Sequence, residues 1–302
     1  MATAQAVAQG AAARSADAPR ERPRLVVIRP SRSSWLELPG HIRRLAEYRD
    51  LLQTLASHRI SVRYRQTALG FVWAVLQPLM MMLIFTAVFS VLARMPSDGV
   101  PYPLFAYTAL LPWIFFSTAL TNGTSSLVNH TQLITRVYFP REILPLTYLF
   151  AALFDLAIGL AVFAALAAWY DAAFTREAWN LLPVVLLLAA WTLALSLILS
   201  AAQVRWRDVG VGLPLVLQLW LFASPVIYPL SAVPEGWRSW YLLNPMAGIV
   251  TAFRDALLHG VQPDPVPLRY ATIVTACLLP AAYLIFKRAE ATPPGKLTWC
   301  LV

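Results

Sequence analysis

The sequence predicts an all-α integral membrane protein, and three observations carry that prediction. Residues Gly99 to Thr135 contain no Asp, Glu, Lys or Arg, and several other stretches are as poor in charge. These apolar runs are continuous, whereas the strands of a membrane barrel alternate. Hydrophobic residues make up 59% of the chain and charged residues 13%, against about 25% charged in a soluble domain. A helix crosses roughly 30 Å of hydrocarbon with about 20 apolar residues and satisfies its own backbone while doing so.

Residues 1–38, rich in Ala, Arg, Pro and Ser, are expected to form a disordered extension, without the apolar core of a secretory leader. Over 39–68, Ile42, Leu45, Tyr48, Leu52 and Leu55 recur at steps of three and four, with Arg43, Arg44, Glu47, Arg49 and Asp50 elsewhere. That pattern fits an amphipathic helix on a membrane surface or a packed cytoplasmic helix. Charge-poor runs then predict six crossings, at about 71–93, 102–124, 143–168, 181–203, 210–229 and 270–286. Together they make a membrane domain over 69–288, followed by a tail over 289–302. The apolar stretch from Ser239 to Phe253 is interrupted at Asn244-Pro245 and is too short to span at about 1.5 Å per residue. It is expected to be a re-entrant or interfacial hairpin.

With six crossings both ends lie on one side of the membrane. Nineteen of the 24 basic residues then fall on that side, so the positive-inside rule places both termini in the cytoplasm. The net charge of +9 is thereby an orientation and lipid-headgroup signal, and nucleic acid is not an expected partner.

The chain lacks the G-x-x-x-x-G-K-[ST] phosphate loop, since Gly295-Lys296 has no glycine five residues earlier. His41, His58, His130 and His259 have no metal-ligand spacing, and Cys277 and Cys300 form no framework. No catalytic, cofactor or metal site is expected. Asp155 is the one ionisable side chain in mid-span. It is either a functional group facing inward or a carboxyl bonded to a neighbouring helix.

Three stretches carry a family signal. The first is Arg63-Tyr64-Arg65-Gln66-Thr67-Ala68-Leu69-Gly70-Phe71-Val72-Trp73 with Gln77-Pro78. The second runs Asn129-His130-Thr131-Gln132-Leu133-Ile134-Thr135-Arg136-Val137-Tyr138-Phe139-Pro140-Arg141-Glu142-Ile143-Leu144-Pro145. The third holds Pro225-Val226-Ile227-Tyr228-Pro229, then Leu243-Asn244-Pro245 and Phe253-Arg254. Together they resemble the membrane subunit of type-2 ABC exporters, particularly the group exporting O-antigen and capsule polysaccharides, over roughly Tyr48 to Arg288.

That resemblance implies a homodimeric permease in a bacterial inner membrane, working with two copies of a separate ATPase that holds ATP and Mg. It implies a coupling helix in which Asn129, Leu133, Ile134, Val137, Phe139, Pro140 and Arg141 dock on the ATPase. Arg63, Tyr64 and Arg65 would meet the headgroup of a lipid-linked polysaccharide. Phe71, Trp73, Tyr102, Tyr107, Trp113, Phe115, Phe116, Trp220 and Phe222 are candidates for lining its path, because sugars stack on aromatic faces, although each also suits packing or an interface belt. Pro225, Tyr228, Asn244, Pro245 and Arg254 would form a re-entrant gate. Other readings stay open: an ABC exporter of the same kind for capsule, teichoic acid or a small molecule; a membrane transferase acting on polyprenyl-linked sugars, with Asp171 and Glu177 as a weak carboxylate pair; and a secondary carrier that needs no ATPase.

Overall fold

The computed structural model describes residues 47–65, 72–171 and 176–290, and every regular element among them is helical. The expectations for residues 1–46, for Gln66 to Phe71 and for 291–302 lie outside the described residues, as do the side chains of Arg65 and Glu177.

Helix α1 (Arg49–Arg65) precedes the first long apolar helix, α2 (Val72–Phe85), which continues as a π-helix over Thr86–Leu92. α3 (Tyr102–Thr124) is followed by the short α4 (Ser126–Asn129) and α5 (Thr131–Arg136). Then come α6 (Ile143–Trp169), α7 (Leu181–Arg205), α8 (Asp208–Phe222), α9 (Glu235–Tyr241), α10 (Pro245–Arg254) and α11 (Pro265–Glu290). Five helical stretches among the described residues are long and apolar enough to cross a membrane, and α8 is a shorter apolar helix of 15 residues.

The expected fifth crossing, 210–229, thus ends early as a helix. At about 1.5 Å per residue α8 covers only some 22 Å, because the chain leaves the helix before Pro225 and Pro229, which have no N–H to continue it. The break expected at Asn244-Pro245 is present: Asn244 caps α10 by accepting from the Met246 N–H at 3.1 Å, and Pro245 takes the first turn, where its missing N–H does no harm.

α3 is the central helix. Its apolar window is 78% buried within the chain, against 17% for α2 and 22% for α11, so the latter two present most of their surface outward. α6, α7, α10 and α2 pack around α3, and α11 lies along α7 and α10. Gly248 permits the last of these contacts, because a Cβ there would run into the Pro267 carbonyl. Across the bundle, Tyr107, Phe105, Phe116, Phe163 and Phe253 fill the core.

The two sides of α1 differ in burial. Leu51, Leu52 and Leu55 pack on a small cluster of Leu127, Phe139, Ile143, Leu144, Leu197 and Phe286, whereas Arg49, Asp50, Thr54, Ser57 and His58 are exposed. That cluster gathers α1, the α3–α6 connection, the end of α7 and the end of α11 at one end of the bundle. Arg141 and Lys287 lie there too, so it is the basic end.

Candidate functional site

Midway along α6, α1 is fastened to it through the acid that stood alone in the sequence. The Arg63 guanidinium forms an ion pair with Asp155, and the Tyr64 hydroxyl donates to its other carboxylate oxygen. Asp155 is 19% exposed and Arg63 48%. A carboxylate this far along an apolar helix stays charged only if such partners replace water. Burial first, then the bond to Asp155 and its charge, push the Tyr64 phenol above its ordinary range. Of the two roles open for Asp155, the structure shows the bonded one. Arg63, expected at a lipid headgroup, is thereby engaged by its own chain.

Beside this pair, between α1, α3 and α6, lies a cavity of about 380 Å³ lined by Arg59, Arg63, Tyr64, Asn122, Tyr148 and Asp155 among others. The Arg59 guanidinium stacks 4.3 Å from the Tyr148 ring centroid, and burial lowers its pKa from the usual arginine value.

The connection between α3 and α6 is where docking was expected. α5 has only six residues and ends before Val137, which is extended. Val137 and Tyr138 are exposed, Leu133 and Ile134 are half-buried on the basic-end cluster, and Asn129 is exposed. Phe139 departs from the expectation. It is 5% exposed and packs with Ile143, Leu144 and Phe286. The extended backbone at Val137 ends the helical register, so Phe139 turns into the bundle and cannot share a docking face with Val137. Pro140 and Arg141 are half-buried. Glu142, buried at 4% exposure, accepts from Lys287 of α11 at 2.8 Å and from the Tyr283 hydroxyl at 3.3 Å. Lys287 also reaches Glu290 at 2.8 Å, and Arg141 lies 3.7 Å from Glu290. The connection is therefore bolted to the end of the last long helix.

At the opposite end, the Pro-rich connection after α8 is held by two side chains from the next elements. Arg254, 4% exposed, donates to the carbonyls of Pro225 (2.6 Å), Val226 (2.8 Å) and Tyr228 (3.2 Å), with its guanidinium 3.6 Å from the Phe105 ring centroid. Asn244 donates to the Ala223 carbonyl (3.2 Å) and Ser224 Oγ (2.9 Å), and its Oδ1 accepts from Trp220 Nε1 (3.1 Å). The Tyr102 hydroxyl donates to the Ile227 carbonyl at 2.9 Å, and the Tyr228 hydroxyl donates to the Phe222 carbonyl at 2.9 Å. Carbonyls freed from a helix and buried must find donors. Here one arginine supplies three of them.

The sequence profile described as ABC-2 type transporter matches residues 50–258. The chain belongs to the ABC-2 type transporter family. Among its relatives, the O-antigen export system permease protein RfbA of Myxococcus xanthus is 37% identical over 252 residues, covering 82% of this chain and 95% of that protein. A protein of the same name from Klebsiella pneumoniae is 26% identical over 214 residues, 70% of this chain and 82% of its own. The polysialic acid transport protein KpsM of Escherichia coli is 25% identical over 245 residues, 79% and 93% of the two chains.

In this ABC-2 chain the aromatics expected along a path divide in two. Tyr107 and Phe116 have no exposed surface, and Tyr102, Trp113 and Phe115 almost none. Tyr107 donates to the Gly159 carbonyl at 3.2 Å, and the Phe116 ring meets Trp113 and Trp220. Within a single chain these five are core, because the central helix is enclosed on its sides. Trp73 and Phe222 are 53% exposed and stand on the outer faces of α2 and α8; Trp220 is half-buried. Phe71 lies outside the described residues. Two contributors were missed in the sequence: Arg59, hidden in a run of basic residues, and the Glu142–Lys287 pair, whose only signal was an acid and a base at the flanks of separate apolar runs.

Proposed function

We propose that this chain is the permease subunit of an ATP-driven exporter that moves a lipid-linked polysaccharide, O-antigen-like, from the cytoplasmic to the outer side of a bacterial inner membrane. The observation that carries the reading is similarity to an O-antigen permease along 82% of this chain and 95% of that protein. Two chains would pair, with two copies of an ATPase that supplies ATP and Mg. Both termini would be cytoplasmic, so the basic end faces the cytosol.

The geometry supports a division of labour. Val137 and Tyr138 offer exposed apolar contact beside Leu133 and Ile134, and an ATPase pressing there would move α11 through Glu142 and Lys287. The membrane count becomes six crossings if α8 and the clamped connection to Pro229 together reach the far side, with α9 and α10 forming the re-entrant gate before α11. The outward faces of α2 and α8, carrying Trp73, Leu83, Val211, Leu215 and Phe222, would meet the second copy across the path. Arg63, Tyr64 and Arg65 would stand near the lipid headgroup. The test is reconstitution of this chain with its ATPase in liposomes carrying a lipid-linked polysaccharide. ATP-dependent appearance of the polysaccharide across the bilayer supports the proposal; transport that proceeds without the ATPase, or none with an active pair, rejects it.

A further inference from the structure

A crevice of about 390 Å³ runs into the bundle between α7, α8, α9 and α11. Trp191, Trp220, Trp240, Tyr241, Leu243 and Val274 form most of its wall, and no residue lining it carries a charge. It is open on one side, where Trp240 is 72% exposed and Leu243 50%. α7 and α11 both start at the end opposite the basic one. Trp191 is ten residues past Leu181, where α7 begins, and Val274 nine past Pro265, where α11 begins, so each lies about 15 Å along its helix. Against roughly 30 Å of hydrocarbon that is the depth of one leaflet. The polar side-chain groups of the wall are already engaged. Trp220 Nε1 donates to Asn244 Oδ1 at 3.1 Å, the Asn244 amide nitrogen donates to the Ala223 carbonyl and Ser224 Oγ, and the Tyr241 hydroxyl meets that of Tyr228 at 2.9 Å. Trp191 is 5% exposed, with its Nε1 enclosed by the protein. A sugar bound there would leave its hydroxyls unpaired, whereas an empty crevice forfeits the dispersion contacts of its walls. A hydrocarbon chain meets both constraints.

We infer that this crevice binds one acyl chain of a phospholipid from the leaflet opposite the basic end, with Trp191 and Trp220 as its inner wall and Trp240 and Leu243 at its mouth. The occupant is a bulk phospholipid because the opening lies between helices that face the membrane: only 22% of the apolar window of α11 is buried within the chain. Tryptophan at the mouth suits the boundary between hydrocarbon and headgroups. Within a bilayer, association is driven by van der Waals packing and not by the hydrophobic effect, so fit to the aromatic walls is what retains the chain. A chain held there packs on Trp220, whose ring is bonded to the Asn244 that fastens the Pro-rich connection, and lipid thereby completes the clamp. The site lies within a single chain and needs neither the second copy, an ATPase nor any particular cargo.

The test uses the purified full-length chain in a mild detergent, titrated with phosphatidylglycerol that carries a diazirine near the end of one acyl chain. After irradiation the adducts are mapped by mass spectrometry. Adducts at Trp220 and Val274 are expected to saturate near one lipid per chain, while those at Leu186, which is exposed on α7, keep rising with lipid. The same concentration dependence at all of these positions, or no adducts in the crevice, overturns the site. Unlabelled phosphatidylglycerol is expected to displace the label from the crevice, and a soluble oligosaccharide at the same concentration to leave it in place. Failure of the unlabelled lipid to displace it overturns the site, and displacement by the oligosaccharide returns the crevice to a sugar path. Displacement by a polyprenyl phosphate at lower concentration than phosphatidylglycerol overturns the phospholipid as occupant. Val274→Trp fills the crevice, so the Trp220 adducts should be lost and the Leu186 adducts kept; retained Trp220 adducts reject the site. The competition needs no variant, so it decides the matter even if Val274→Trp fails to fold. Neither ATPase nor cargo enters the assay, so a failure of export and a failure of this site are separately visible.

Discussion

Two side chains show how an ionisable group is kept in an apolar bundle. Asp155 was conspicuous in the sequence because it stands alone within a charge-poor run, but its partners were not, since Arg63 and Tyr64 lie on another helix and the sequence offers a dozen basic residues before the first span. Measured as a double-mutant cycle on unfolding in mild detergent, Asp155→Asn and Arg63→Gln are expected to be non-additive by about 0.5–3 kcal/mol; additive losses would mean that the pair is incidental. Arg254 is the stronger case. Arg254→Met leaves three carbonyls without their donor, at about 1–3 kcal/mol for each one that stays buried. The variant is expected to unfold at a clearly lower temperature than wild type, and an unchanged melting temperature would remove the clamp from the account. Nothing in the sequence assigned Arg254 to carbonyls, because a basic residue after a short apolar run reads equally as a flank.

At the scale of elements, the sequence was informative wherever backbone chemistry is local. Continuous apolar runs gave α2, α3, α6, α7 and α11, and Asn244-Pro245 gave the start of α10, because a cap and a proline act on their own neighbours. The end of α8 was obscured because Val226, Ile227 and Tyr228 continue the apolar run after the helix has stopped. The facing of Phe139 was obscured too, since a helix over 131–136 and one extended to 139 differ only in where the register ends. The buried Phe139 and the exposed Val137 are expected to respond differently to substitution. Val137→Arg should leave stability within about 0.5 kcal/mol of wild type while abolishing co-purification of the ATPase. Phe139→Ala should instead cost about 3–5 kcal/mol, with docking lost only through unfolding; a stable Phe139→Ala protein that no longer binds the ATPase would restore Phe139 to the docking face. Lys287→Met strands the buried Glu142 carboxylate, at about 3–5 kcal/mol. Adding Glu142→Gln should recover most of that loss in a thermal melt, and no recovery would show that the pair does not act as a unit.

For the whole molecule, the family and the gross arrangement were legible, and the reason is physical: solvent choice, span length and charge asymmetry are properties of composition along the chain. What a single chain hides is anything shared between copies. Tyr107 and Phe116 pack inward, while α2 and α8 turn Trp73 and Phe222 outward, so a path for cargo has to be sought on those outer faces and not through the core of one chain. In the proposed function the basic end, with the α3–α6 connection, is the cytosolic face on which an ATPase acts. Its most direct measurement is labelling of Val137→Cys, in a background where Cys277 and Cys300 are serine, with a membrane-impermeant maleimide applied to intact cells and to inverted membrane vesicles. Labelling in inverted vesicles alone is expected, with protection there by the bound ATPase. Labelling from outside intact cells would contradict it.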